Sequence, residues 1–258
     1  MEINIDQTRW WQRIYAAFMF FTRLPLWRWY QPPKDCFRTV VEHWPLVGWL
    51  TGACMSAVLY FGSMVMPWSM AVIAAILTRL LLTGALHEDG LADFCDGFGG
   101  GGNDRERILS IMKDSHIGTY GVLGLIFYFA LLFTCLYHLT PFKAALVVMA
   151  GDAYCKMLAA QIIMFLPYAR SEDTAKNKIV YRKMSVKAGL ILFLEGILPM
   201  IPLFYYYGFD SLLIFVPCIV MYFLYYMMNR KIHGYTGDCC GALFLIIELS
   251  FYCLTLII

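Results

Sequence analysis

Seven apolar runs of about bilayer-crossing length constrain this chain more than anything else in it. They fall at roughly 44–66, 68–86, 119–140, 142–166, 187–207, 211–228 and 240–258, and a helix needs about 20 residues to cross the hydrocarbon. Composition agrees, with 60% hydrophobic and only 15% charged residues, against about 25% charged in soluble domains. The expected fold class is therefore all-α: a polytopic membrane bundle of about seven spans, with six to eight as the range. Pro67, Pro141 and the turn Gly208–Phe209–Asp210 separate neighbouring spans. No linker divides the chain and no internal repeat is evident, so residues 1–258 are read as one domain.

Before the first span, Tyr15–Phe21 is apolar but too short to cross. With Trp10, Trp11, Trp27 and Trp29 around it, it reads as an interfacial helix. The start, MEINIDQTRWWQR, lacks the basic-then-apolar-then-small pattern of a cleavable signal peptide. Basic residues divide unevenly between the two sides of the bundle. One side receives Arg9, Arg13, Arg23, Arg28, Lys34 and Arg38, then Arg105, Arg107 and Lys113, then Arg170, Lys176, Lys178, Arg182 and Lys183, then Arg230 and Lys231. The opposite connections hold Lys143. By the positive-inside rule the first side faces the cytoplasm, which predicts a multi-pass membrane protein with every sizeable loop on the cytoplasmic side. A net charge of +2 carries no nucleic-acid signal. Nine scattered cysteines without framework spacing argue against a disulfide scaffold and against a thiolate metal site.

One polar island interrupts the hydrophobe, from Gly84 to Gly121. Seven of the eighteen acidic residues lie between Glu88 and Asp114. Asp89, Asp93 and Asp96 stand at i, i+4 and i+7, which on a helix puts three carboxylates on one face. Such neighbours repel, and a hard divalent cation removes that penalty by taking their oxygens as ligands. Gly97 and Gly99–Gly102 read as a flexible break. Asn103, with Glu106 three residues on, reads as the N-cap of an amphipathic helix whose stripe is Ile108, Ile111 and Met112. The break would bring Lys113, Asp114 and Ser115 back beside the carboxylates. A merely solvated loop is the plain alternative, but it would mix acids with bases rather than align three acids.

Other ionisable residues invite a role. His87 and His116 flank the acids and offer a general base, though a histidine in such a place is more often a hydrogen-bonded neighbour. Arg79, Asp152, Lys156, Glu195 and Glu248 fall inside spans, where a charge is costly. Asp152 and Lys156, at i and i+4, can neutralise each other. Asp238 and Glu248 can face one cavity and reach substrate; a structural pairing of Glu248 with Arg79 is the competing reading. Glu195 has no evident partner.

HEDGLADFCDG followed by ERILSIMKDSHIGTYG resembles the signature of the cobalamin synthase family, the adenosylcobinamide-GDP ribazoletransferases. The likeness extends to Phe21–Pro25, Trp44–Gly48, Tyr168–Arg170 and Thr236–Glu248, and so covers nearly the whole chain in order. It implies an integral enzyme of the bacterial inner membrane, requiring Mg²⁺, that joins adenosylcobinamide-GDP to α-ribazole or α-ribazole 5′-phosphate and releases GMP. In that reading Asp89, Asp93 and Asp96, with Asp114, hold the metal. His87 and the same carboxylates are the catalytic candidates. Arg23, Lys113 and Lys156 clamp phosphate, while Ser115, Gly118, Asp238 and Glu248 complete the substrate site. Membrane lipid surrounds the protein, and a homo-oligomer or an assembly with other enzymes of the pathway is compatible. Glu88 departs from the family pattern, standing where an apolar residue is usual. So does Cys155–Lys156, where Ser-Arg is common, and His116 stands where arginine is often found.

Two rivals fit less well. A CDP-alcohol phosphotransferase would continue Asp89–Gly90–Leu91–Ala92 with arginine, but Asp93 follows; a prenyltransferase would want a second acidic cluster. A divalent-cation carrier would place its acids along the spans rather than in one connecting segment.

Overall fold

A computed structural model describes residues 8–171, 179–210 and 212–257. Lys176 and Lys178, counted above among the basic loop residues, lie outside the described residues, as do residues 1–7, Ser211 and Ile258. In hydrocarbon each backbone N–H and C=O must find its partner within its own segment, which favours helices. The described residues are helical throughout, apart from turns and one isolated bridge between Tyr168 and Tyr235. The order is α1 (Trp10–Phe21), a 3₁₀ stretch (Lys34–His43) running into α2 (Trp44–Gly62), α3 (Trp68–Thr83), α4 (Leu86–Gly100) and α5 (Arg105–Lys113). Then come α6 (Thr119–Tyr137), α7 (Pro141–Ala160), the short α8 (Ile162–Phe165), α9 (Val186–Ile197), α10 (Met200–Tyr207), α11 (Leu212–Ile232) and α12 (Gly237–Leu254). Six helical segments are long and apolar enough to cross a membrane, and a seventh is reached if α3 and α4 form one span bent by 90°. This is the polytopic helical protein that the apolar runs predict.

The second expected span, 68–86, ends early. Gly84 at φ 66° and Ala85 at φ 56° are both left-handed, so α3 stops at Thr83 and α4 leaves at a right angle. Glycine takes that conformation freely, whereas alanine pays about 1–2 kcal/mol. The island also differs from expectation. α4 runs as helix through Gly97, Gly99 and Gly100, because these glycines let Met112 and Tyr120 pack on its backbone. Asp104, not Asn103, caps α5; its Oδ1 accepts from the amides of Glu106 (3.0 Å) and Arg107 (3.2 Å).

α7 is the central helix. Gly48 of α2 lies against Ala153, Gly52 against Met149, and Ser56 Oγ donates to the Ala145 carbonyl, so α2 and α7 run antiparallel in close contact. The interior between them holds paired charge. Lys156 pairs with Asp152, whose Oδ2 accepts from Thr51 Oγ1 at 2.9 Å. Arg79 of α3 donates from one nitrogen to both oxygens of Glu248 on α12 (2.6 and 2.7 Å) and from another to the Tyr128 hydroxyl. Tyr252 Oη also donates to Glu248, at 2.8 Å. Glu195, unpartnered in the sequence reading, meets His43 Nδ1 at 2.8 Å, and its carbonyl accepts from Trp49 Nε1 at 2.7 Å. Outward, Leu81, Phe127, Phe215 and Phe223 are exposed, an apolar surface suited to lipid.

Candidate active site

The end of α1, the starts of α2, α4 and α12, and the side chains of Tyr168, Arg170, Ile179 and Tyr181 meet around a cavity of about 130 Å³. α4 and α12 cross there almost backbone to backbone. A Cβ on Gly90 would lie 2.9 Å from the Asp238 carbonyl oxygen, and one on Gly241 would lie 3.1 Å from that of His87. Small residues permit such an approach, and it sets Asp89 and Asp238 on the same wall. Thr236 caps α12, its hydroxyl accepting from the Cys239 amide at 3.3 Å. Asp238 then sits in the first turn, where the helix dipole favours a carboxylate. Residues 167–169 are pinned beside it: Ala169 N donates to the Tyr235 carbonyl (2.8 Å) and Tyr235 N to that of Pro167 (3.0 Å).

The cavity has two characters. Asp89, Asp238 and Arg170 make its polar part, and Phe20, Phe21, Trp44, His87, Tyr168 and Tyr181 make an aromatic one. Phe21 stacks on Trp44 at 5.0 Å between centroids, and Trp44 on His87 at 5.5 Å. Among the described residues, eight buried side-chain polar atoms lack a hydrogen-bond partner. Four of the eight belong to residues of this cavity: Trp44 Nε1, both ring nitrogens of His87, and Arg170 Nε. Buried polar groups are normally satisfied, so this concentration sets the cavity apart from the rest of the described interior. Burial, helped by the neighbouring Cys240 thiol, pushes the Tyr168 phenol up to about 12.

The predicted residues separate into four groups. Asp89, His87 and Asp238 line the cavity, and Asp93 lies half-buried one turn beyond Asp89 on α4. Asp96 is engaged elsewhere: its two oxygens accept from the amides of Gly118 (2.7 Å) and Gly121 (2.8 Å), capping α6. That use of both oxygens explains Gly118 as well, as the residue whose amide the carboxylate holds. Lys113, Asp114 and Ser115 are exposed and outside the cavity lining, as is Arg23 beside Gly84. Asp114 bonds to the ring (2.7 Å) and amide (3.1 Å) of His116, which hold its carboxyl below the usual range. Lys156 and Glu248 are fully buried in the ion pairs described above, so neither is placed to touch a ligand in the cavity. Sequence reasoning missed Arg170, Trp44, Tyr168 and Tyr181 as site residues, although three of them sit in the conspicuous segments Trp44–Gly48 and Tyr168–Arg170.

Among the described residues no three His, Cys, Asp or Glu side chains converge as a cage for an ion. The arrangement of Asp89 and Asp238 on one wall does fit the way Mg²⁺ is held at phosphate sites. There one or two carboxylates suffice, and water and phosphate oxygens complete the octahedron.

Fold and site together define a polytopic helical membrane protein with a carboxylate- and aromatic-lined cavity at one end of its bundle. The family profile of cobalamin-5-phosphate synthase matches residues 13–256, and the chain belongs to that family. A relative named adenosylcobinamide-GDP ribazoletransferase, from Leptospira interrogans, is 34% identical over 251 residues, covering 94% of each chain. Relatives of the same name are 34% identical in Shewanella frigidimarina, over 92% of this chain and 91% of theirs, and 32% identical in Shewanella oneidensis, over 95% and 93%. No solved structure gives a significant match.

Proposed function

We propose that this chain transfers a GDP-activated corrinoid, adenosylcobinamide-GDP, onto α-ribazole or its 5′-phosphate, giving adenosylcobalamin or its 5′-phosphate and GMP. The observation that carries the reading is the cavity itself, where two carboxylates and an Arg170 with a free Nε stand beside an aromatic wall of orphan donors. A hydroxyl of ribazole attacks the phosphorus on the corrinoid side of the diphosphate, the bond from that phosphorus to the GMP oxygen breaks, and GMP leaves with the electron pair. Asp89, exposed at the cavity, takes the hydroxyl proton. Arg170, whose Nη2 donates to the Leu109 carbonyl at 2.7 Å, braces the diphosphate through its remaining N–H groups, and the wall formed by α4 and α12 keeps attacker and leaving group in line. Mg²⁺ on Asp89 and Asp238, with Asp93 in support, would supply charge neutralisation for the diphosphate and the leaving GMP.

The basic residues of the connections at this end favour the cytoplasmic face of a bacterial inner membrane, which is where a nucleotide-activated substrate would arrive. The test uses purified membranes containing the full chain, supplied with adenosylcobinamide-GDP and α-ribazole 5′-phosphate. GMP release that depends on both substrates, and that stops on chelation and returns with Mg²⁺, is expected. Intact GDP-corrinoid after incubation with all components would overturn the reading.

A further inference from the structure

We propose that the aromatic part of the cavity is the subsite for the base of the incoming nucleoside, and that His87 selects it by donating a hydrogen bond to the free ring nitrogen. The inference rests on the transfer reading above and goes beyond it by assigning one half of one substrate to named side chains.

Size is the first argument. A cavity of about 130 Å³ is close to the roughly 150 Å³ that accepts a benzene in an engineered apolar core. That volume covers the polar and aromatic parts together, so it takes a flat ring with the sugar at its mouth, and a corrin macrocycle has to remain outside. Surface is the second. Phe20, Phe21, Trp44, His87, Tyr168 and Tyr181 line this part, and aromatic walls favour a planar π-system through offset or edge contacts. The third argument is the unmet hydrogen bonding. His87 is 2% exposed and Trp44 1% exposed, yet neither His87 ring nitrogen nor Trp44 Nε1 has a partner. A neutral imidazole has one N–H to give, and an indole gives one more. A ribazole base has a single unsubstituted ring nitrogen, which accepts one such bond and needs nothing else.

Guanine, the other flat ring in the reaction, is a poorer match. It presents several donors and acceptors along its edge, and burying them among aromatic side chains would leave most unpaired, which disfavours guanine there. The polar part of the cavity, with Asp89, Asp238 and Arg170, lies where the ribose and its phosphate would emerge. Base inward and hydroxyl outward therefore bring the nucleophile to the carboxylates. On this assignment His87 is a specificity residue and takes no proton from the nucleophile.

The experiment measures equilibrium binding to the full chain in lipid nanodiscs without corrinoid. The probes are α-ribazole 5′-phosphate and the matching phosphate of the 5,6-dimethylindole riboside, in which the free ring nitrogen is replaced by CH. The native chain is expected to prefer the ribazole by tenfold or more. His87→Phe, which keeps a flat aromatic in the stack, is expected to bring the two probes within about twofold. In turnover its effect should fall on KM for the nucleoside far more than on kcat. Equal affinity of the native chain for both probes overturns the proposal even if the variant does not fold. So does retained discrimination by His87→Phe, a collapse of kcat at unchanged KM, or displacement of ribazole phosphate by GMP at equimolar concentration, which would give the subsite to guanine. Binding is read without the corrinoid, so a native chain that discriminates the probes but releases no GMP would sink the transfer reading while leaving the base subsite standing.

Discussion

Asp89 and Asp96 lie two turns apart on α4, and their surroundings give them opposite tasks. Asp89 is exposed at the cavity, whereas Asp96 is buried with both oxygens occupied by the amides that begin α6. Asp89→Asn should therefore leave the melting temperature of the purified protein within about 1 °C and lower GMP release by at least about a hundredfold, the scale of losing one charge-stabilising group at a reaction centre. Asp96→Ala should do the reverse in kind. It removes two charge-assisted hydrogen bonds and strands two amides, costing about 3 kcal/mol, read as a lowered melting temperature, with activity falling only as folded protein is lost. Asp96→Asn, which keeps one acceptor oxygen, should fall between. The sequence showed that Asp89, Asp93 and Asp96 share a helical face, and they do. It could not show that the third carboxylate would be claimed by amides 22 and 25 residues further on, because spacing reports the face of a helix and says nothing about what packs on it.

At the scale of elements, the site depends on two joints. One is the right-angle turn at Gly84–Ala85, which lays α4 across the end of the bundle so that Asp89 meets α12. Apolar periodicity could not reveal it, since Leu81, Leu82, Ala85 and Leu86 carry the hydrophobic run straight through and alanine does not signal a break. The other is the crossing of α4 and α12 at Gly90. Any side chain there meets the backbone of Asp238, so Gly90→Val should cost roughly 1–3 kcal/mol by overpacking and depress activity in the folded fraction, because it pushes Asp89 and Asp238 apart. Assay of the melted and folded fractions separately checks both halves of that statement. Farther from the cavity, Arg79 ties α3 to α12 through Glu248. Arg79→Met alone should cost about 3–5 kcal/mol by stranding a buried carboxylate. Adding Glu248→Gln should recover much of that loss in a double-mutant cycle. The competing sequence reading, Glu248 paired with Arg79 rather than with substrate, is the one the contacts support, and the same holds for Lys156 with Asp152.

For the whole molecule, six apolar spans, with a seventh if α3 and α4 make one, were legible because a bilayer leaves the backbone so few choices, and the basic residues of the connections predict an orientation by the positive-inside rule. The geometry adds a parity argument. Phe20 and Phe21 at the end of α1 and Gly237 and Asp238 at the start of α12 line one cavity, so the N-terminal helix and the beginning of the last helix share an end of the bundle. α12 then runs 18 residues away from that end, about 27 Å at 1.5 Å per residue. At its far end Lys143 Nζ donates to the Thr255 carbonyl at 3.0 Å, which places the one basic residue of the opposite connections beside the C-terminus. α1 and the end of α12 therefore lie at opposite ends of the bundle, which fits an odd number of crossings, seven if α3 and its bent continuation α4 make one span. With the basic end inside, a C-terminal alkaline phosphatase fusion expressed in a Gram-negative host should be active and a fluorescent-protein fusion at the same point dark. Fusions after Lys231 should show the opposite pair of signals. A bright, phosphatase-negative C-terminus would mean an even count, with α3 failing to cross, and would move the cavity away from the face on which GDP-activated substrates are made.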